Sequence, residues 1–163
     1  LKKVIVIGCS GSGKSTFSRK LHEITQIPLY HLDMMYWNAD KTTVDGNTLI
    51  ERQNEVIKRD EWIIDGNYDS TMELRMNACD TVIFLDYPLE LCLSGVEARR
   101  GKPRQDMPWI EDETNVDEEF IQFIKNYNQI SKPNVINLLE KYKNKEIVIF
   151  TDRTQAEEYL SEM

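Results

Sequence analysis

Short apolar runs alternate with longer amphipathic stretches along the chain. The segments "KVIVI" (3–7), "PLYHL" (28–32), "WIID" (62–65), "TVIFLD" (81–86) and "EIVIF" (146–150) are apolar at consecutive positions and too short to fill a helix, so each predicts a strand buried on both faces. Between them apolar residues recur at helical spacing: Phe17, Leu21 and Ile24; Leu49, Ile50, Val56 and Ile57; Leu89, Cys92, Leu93 and Val96. Phe120, Phe123, Ile124 and Tyr127 continue the pattern, and Val135, Leu138, Leu139 and Tyr142 repeat it after Pro133. "TQAE" near the end predicts a last small helix, with Thr154 and Glu157 as a capping box and Ala156, Tyr159 and Leu160 as its apolar face.

Strands separated by helices imply an α/β fold, a parallel sheet covered on both faces, with ligands at the carboxyl ends of the strands. Gly8, Asp33, Asp65 and Asp86 each fall at or just past the end of a predicted strand. One sheet edge is therefore expected to collect all four. No repeat, low-complexity tract or linker interrupts the 163 residues, which predicts a single domain over 1–163.

Composition narrows the class. With 40% hydrophobic and 29% charged residues the chain reads as an ordinary globular protein. No apolar run approaches the ~18 residues of a membrane span, and the start "LKKVIVIGCSG" lacks the apolar core of a secretory signal, so a cytoplasmic location without a membrane partner is expected. Three widely spaced cysteines suggest neither a disulfide framework nor a zinc cluster; Cys79 and Cys92 are assigned to the core and Cys9 to packing. The two isolated histidines, His22 on a helix and His31 in a strand, give no metal site. A net charge of -8 argues against a broad nucleic-acid grip. Locally the balance reverses, with Arg99, Arg100, Lys102 and Arg104 crowded into "RRGKPR" shortly before the acidic "EDETNVDEE".

The stretch "GCSGSGKST" (8–16) carries the chemistry. Its Gly, four residues, Gly, Lys, Ser spacing follows a strand and precedes a helix, the context of a phosphate-binding loop. Glycines at 8, 11 and 13 allow successive N–H groups, including those of Ser10 and Ser12, to turn inward around an anion, and the helix adds its positive N-terminus. Lys14 is the expected partner of the β- and γ-phosphates, Ser15 the Mg²⁺ ligand, and Thr16 the contact nearer the α-phosphate of ATP. Nucleotide binding by itself does not separate a kinase from a switch.

Beyond the loop, the chain resembles the small P-loop kinases of the adenylate-kinase-like group. "HLD", "WIIDGNY", "TVIFLD", "EARRGKPR" and "TDRTQAEEYL" are similar to the bacterial topology-modulation proteins. The resemblance implies a three-layer P-loop NTPase fold, a five-stranded parallel sheet ordered 2-3-1-4-5, and a mobile lid at about 99–115. It implies an ATP- and Mg²⁺-dependent phosphotransferase acting on a nucleoside, nucleotide or similar small metabolite; the alternative is a nucleotide-binding regulator linked indirectly to DNA topology. Asp65 resembles the aspartate that supports the metal through water, with Asp86 as the other candidate and a helix-capping role open to it. Asp33 is expected to orient the attacking hydroxyl or contact the acceptor. Arg99 and Arg153 are implied to bracket the adenine, Arg100 to clamp the transferring phosphoryl group, and Arg104 to swing in from the lid. Where adenylate kinases read "DGFPR" this chain has "DGNYD", with Asp69 in place of the arginine that grips an acceptor phosphate. Arg75 and Arg52 are candidate replacements, Asn67 and Tyr68 suit hydrogen bonds to the acceptor, and Tyr36 and Trp37 suit stacking on it.

Overall fold

The computed structural model describes residues 1–9, 11–99, 122 and 126–163. The apolar run at the start forms β1 (Lys3–Gly8), in which Val4, Ile5, Val6 and Ile7 have no solvent exposure. Each such burial stabilises the fold by about 1.5–3 kcal/mol, which favours placing this strand at the centre of the sheet. The chain then alternates as expected: α1 (Lys14–Thr25), β2 (Leu29–His31), α2 (Leu32–Tyr36), α3 (Gly46–Ile57), β3 (Trp62–Asp65), α4 (Asp69–Ala78), β4 (Thr81–Leu85) and α5 (Leu89–Arg99). After the undescribed residues come α6 (Tyr127–Lys141), β5 (Glu146–Phe150) and α7 (Arg153–Ser161).

The five strands form one parallel sheet in the order β2-β3-β1-β4-β5. Helices cover both faces. Phe17 and Leu21 of α1, Cys92 of α5 and Leu160 of α7 pack with Val4, Val6, Ile63 and Ile83 on one side. Val56 of α3, Met72 and Met76 of α4, and Val135 and Leu139 of α6 pack with Ile5, Ile7, Ile64 and Phe84 on the other. Successive strand residues thus feed opposite cores, which is why the runs are continuously apolar.

Several local expectations shift. Ile24 and Ile50 are 46% and 38% exposed, because their helices each bury a narrower stripe than the apolar positions suggested. β5 is half exposed because it is an edge strand with one neighbour. The helix expected after Pro133 begins six residues earlier, at Tyr127, and runs through the proline. An interior proline costs about 3 kcal/mol, a penalty opposed here by Tyr127 buried on one side and Val135, Leu138 and Leu139 on the other. The last helix is capped not by Thr154 but by Asp152, whose carboxylate accepts the Gln155 N–H at 2.9 Å while Gln155 Oε1 accepts the Thr151 N–H at 2.7 Å. Aspartate satisfies a helix start at least as well as threonine, and Gln155 ties the residue before the cap to the first turn. All three cysteines are buried, as expected, and the neighbouring Cys9 sulfur, followed by burial, pushes the Cys92 thiol up so that it stays protonated. No described helix is long and apolar enough to cross a membrane.

Candidate active site

β1 delivers Gly8 to the carboxyl edge of the sheet, between β3 and β4. Gly8, Gly11 and Gly13 all take positive φ, at 154°, 82° and 93°. Gly8 has a second reason to lack a side chain, since a Cβ there would lie 2.7 Å from the Leu85 carbonyl oxygen. The loop closes through the Ser12 N–H on the Cys9 carbonyl at 3.1 Å, and α1 starts with the Phe17 N–H on the Gly13 carbonyl at 2.9 Å. Lys14 Nζ reaches back to donate to the Cys9 carbonyl at 3.2 Å, so its charge lies over the loop. The Ser15 and Thr16 hydroxyls, in the first turn of α1, accept from the Arg19 guanidinium one turn along at 2.8 and 3.4 Å. Ser10 lies outside the described residues.

The carboxylates gather at the same edge. Asp65 ends β3, is 4% exposed, and sits opposite His31 in the ladder. His31 Nδ1–H donates to Asp65 Oδ2 at 2.7 Å. Sequence reasoning missed this pair; the signal was two polar residues ending adjacent parallel strands. Asp86, just past β4, pairs instead with Lys132 of α6 at 2.9 Å.

Asp33 stands in the first turn of α2, whose N-cap is His31. Its carboxylate accepts the Tyr68 hydroxyl. Burial first, then the charge of Asp33 and this hydrogen bond, push the Tyr68 phenol up, so Tyr68 remains a donor at any physiological pH. Tyr68 has φ 40° and ψ 71°, a left-handed conformation costing a bulky residue on the order of 1–3 kcal/mol. The Tyr36 ring meets those of Trp37 and Tyr68 edge to face, at 5.4 and 5.0 Å between centroids, so Trp37 joins an aromatic group beside Asp33. Arg52 donates to the Met35 carbonyl on the same side.

Arg75 departs from the expectation of a cation open to an acceptor. It is fully buried, its NH1 donating to Gln53 Oε1 and Thr71 Oγ1 at 2.8 Å each and its NH2 to the Asn67 carbonyl. Burial lowers its pKa to about 9, which leaves it charged at neutral pH. Among the described residues its Nε has no partner. Asn67, expected to face an acceptor, turns its carboxamide to Gly8: Oδ1 accepts the Gly8 N–H at 3.0 Å and Nδ2 donates to the Gly8 carbonyl at 2.6 Å. Arg153 opens α7 and is exposed. Arg99 ends α5; Arg100, Arg104 and most of the expected lid lie outside the described residues.

A glycine loop between strand and helix, at the carboxyl edge of a parallel sheet ordered 2-3-1-4-5, defines the class as a three-layer P-loop NTPase fold. Among solved structures, the chain is similar to a shikimate kinase from Acinetobacter baumannii in complex with shikimate, with a TM-score of 0.64, 17% identity, and coverage of 99% of this chain and 90% of that one. It is also similar to the shikimate kinase from Bacteroides thetaiotaomicron, with a TM-score of 0.55, 20% identity, and coverage of 98% and 94%. The Aquifex aeolicus shikimate kinase gives a TM-score of 0.56, 16% identity, and coverage of 98% and 91%. No family model and no curated protein matches the chain. At these identities the likeness establishes the fold.

Proposed function

We propose that the protein is a phosphotransferase that moves the γ-phosphoryl group of Mg·ATP to a hydroxyl of a small acceptor. The observation that carries this reading is the convergence, on one sheet edge, of the glycine loop with Lys14 above it and two carboxylates, Asp33 and Asp65, on the β2 and β3 side. The fold neighbours support it, all three being shikimate kinases and one of them bound to shikimate, which favours a small molecule as acceptor.

The roles follow from charge and place. Backbone N–H groups of residues 8–16 and the start of α1 hold the polyphosphate, and Lys14 neutralises charge that grows on the outer phosphate. Ser15 Oγ and the Asp65 carboxylate are hard oxygen donors, a set that suits Mg²⁺ and no softer metal, with Asp65 acting through water. The ion supplies charge neutralisation on the phosphate oxygens. We favour Asp65 over Asp86 on the resemblance to the metal-supporting aspartate; each is already bonded, Asp86 to Lys132 of α6 and Asp65 to His31. Asp33, whose carboxylate accepts the Tyr68 hydroxyl, is the group that accepts from the acceptor hydroxyl and orients its attack. Trp37 and Tyr36 form a wall for the acceptor, and Arg99, Arg100, Arg104 and Arg153 serve the nucleotide and the moving phosphoryl group. The non-catalytic alternative, a regulator acting indirectly on DNA topology, rests on sequence resemblance alone.

Purified protein with labelled Mg·ATP and a panel of nucleosides, nucleotides and cyclic hydroxy acids tests the reading. Transfer to one acceptor, falling at least a hundredfold in Lys14→Ala and in Asp33→Asn, is the expected result. ATP binding with no acceptor-dependent transfer across the panel would leave the regulator.

A further inference from the structure

The turn after β3 does more than connect it to α4. β1 and β3 run in register as far as Val6 opposite Asp65, and the Gly66 N–H adds one more bond to the Val6 carbonyl at 3.1 Å. Beyond that point the backbone leaves the sheet, with Gly66 at φ 125° and Tyr68 at φ 40°. Among the described residues Gly8 then has no main-chain partner on its β3 side, at the place where the phosphate loop begins. The Asn67 carboxamide fills that place, accepting from the Gly8 N–H and donating to the Gly8 carbonyl at 3.0 and 2.6 Å. A carboxamide carries the same donor and acceptor as a peptide group, so the side chain completes the ladder where no backbone remains.

The same turn is fixed from below and used from above. Arg75, buried and charged, donates to the Asn67 carbonyl and is itself held by Gln53 and Thr71. Tyr68, the next residue, donates to Asp33. Among the described residues no carboxylate bonds this buried guanidinium, although the charge of Asp69 favours it, and burying a charge is costly unless hydrogen bonds hold it as these do.

We infer that Asn67 is a positioning residue: it sets the first glycine of the phosphate loop and so presets the loop for the triphosphate, while Tyr68 on the same turn sets Asp33 for the acceptor. This rests on the phosphotransferase reading for its consequence, but not for its geometry. Asn67 acts on the nucleotide only through Gly8.

Two variants separate the two ends of the turn. Asn67→Ala is expected to weaken Mg·ATP binding, measured by calorimetry, about tenfold or more, and to raise the KM for ATP in step. Tyr68→Phe is expected to leave the Mg·ATP dissociation constant within about twofold while lowering kcat. General loosening of the structure would move both variants alike, so equal effects on Mg·ATP affinity overturn the assignment. If Asn67→Ala does not fold, Asn67→Asp of the same size takes its place: it keeps an acceptor for the Gly8 N–H and loses the donor to the Gly8 carbonyl, so weakened Mg·ATP binding supports the assignment and wild-type affinity overturns it. Amide hydrogen exchange at Gly8 decides the geometry without any nucleotide: faster exchange in the Asn67 variant, at equal protection elsewhere in β1, supports the clamp, and unchanged exchange refutes it. A wild type that binds no Mg·ATP would sink the phosphotransferase reading, with the exchange result still deciding Asn67.

Discussion

Two helical glycines, Gly46 and Gly95, look interchangeable in the sequence and are opposite in their surroundings. A Cβ on Gly46, at the start of α3, meets nothing within 4 Å, whereas one on Gly95, inside α5, would overlap the carbonyl oxygen of Gly11 in the phosphate loop. Alanine normally improves a helix by up to about 1 kcal/mol over glycine. Gly46→Ala is therefore expected to hold or raise the urea midpoint, while Gly95→Ala, forced to displace helix or loop, should cost about 1–3 kcal/mol and weaken Mg·ATP binding. A stabilised Gly95→Ala with intact nucleotide affinity would show that α5 is not packed on the loop. The loop glycines were legible because their spacing encodes a conformation. Gly95 was not, since its requirement comes from a neighbour 84 positions away in the chain.

At the scale of elements, α4 and α6 are tied at the surface by Lys141 donating to Glu73, with the Tyr142 hydroxyl on the same carboxylate oxygen at 3.2 Å. The Lys141 hydrogen bond, then that of Tyr142, holds Glu73 below its ordinary 4.5, and Glu73 holds Lys141 above its ordinary 10.5. A lowered acid contributes stability that is present above 4.5 and lost as pH falls through its folded value. A raised base contributes stability that is present below 10.5 and lost as pH rises through its own. Subtracting the denaturation midpoints of Glu73→Gln from those of wild type should give a difference that is flat between about pH 5 and 10 and vanishes outside it. A difference persisting at pH 2 would assign the effect to packing instead. Because both groups are exposed, added salt should shrink it.

Element identity was the most legible level: all five strands stand where the apolar runs put them, because each run is too short for most helices and lies between stretches of helical spacing. The helix limits were less so. Pro133 and Thr154 carry strong local signals, and both were overruled, the first by apolar packing on either side and the second by a better cap two residues earlier.

For the whole molecule, the net charge of -8 and the nucleotide loop make opposite demands on polyanions. A small polyphosphate meets a local nest of N–H groups and Lys14; a duplex meets the overall negative field. Mg·ATP at a hundred times its dissociation constant should raise the unfolding free energy by about 2.7 kcal/mol, and duplex DNA at physiological salt should leave the transition unmoved. A thermal scan with each ligand reads both, and stabilisation by the duplex that fades with added salt would restore a direct nucleic-acid role.

The sequence by itself determined the alternation of strands and helices, the phosphate loop with its three glycines, and the carboxylates at strand ends, since these depend on spacing within a few residues of one another. Only the tertiary structure decided that His31 meets Asp65, that Tyr68 holds Asp33, and that Asn67 and Arg75 turn inward to brace the loop. All but the Arg75–Asn67 bond join residues 34 to 59 positions apart, and a polar side chain takes whichever partner the packed sheet brings within reach, which no local pattern records.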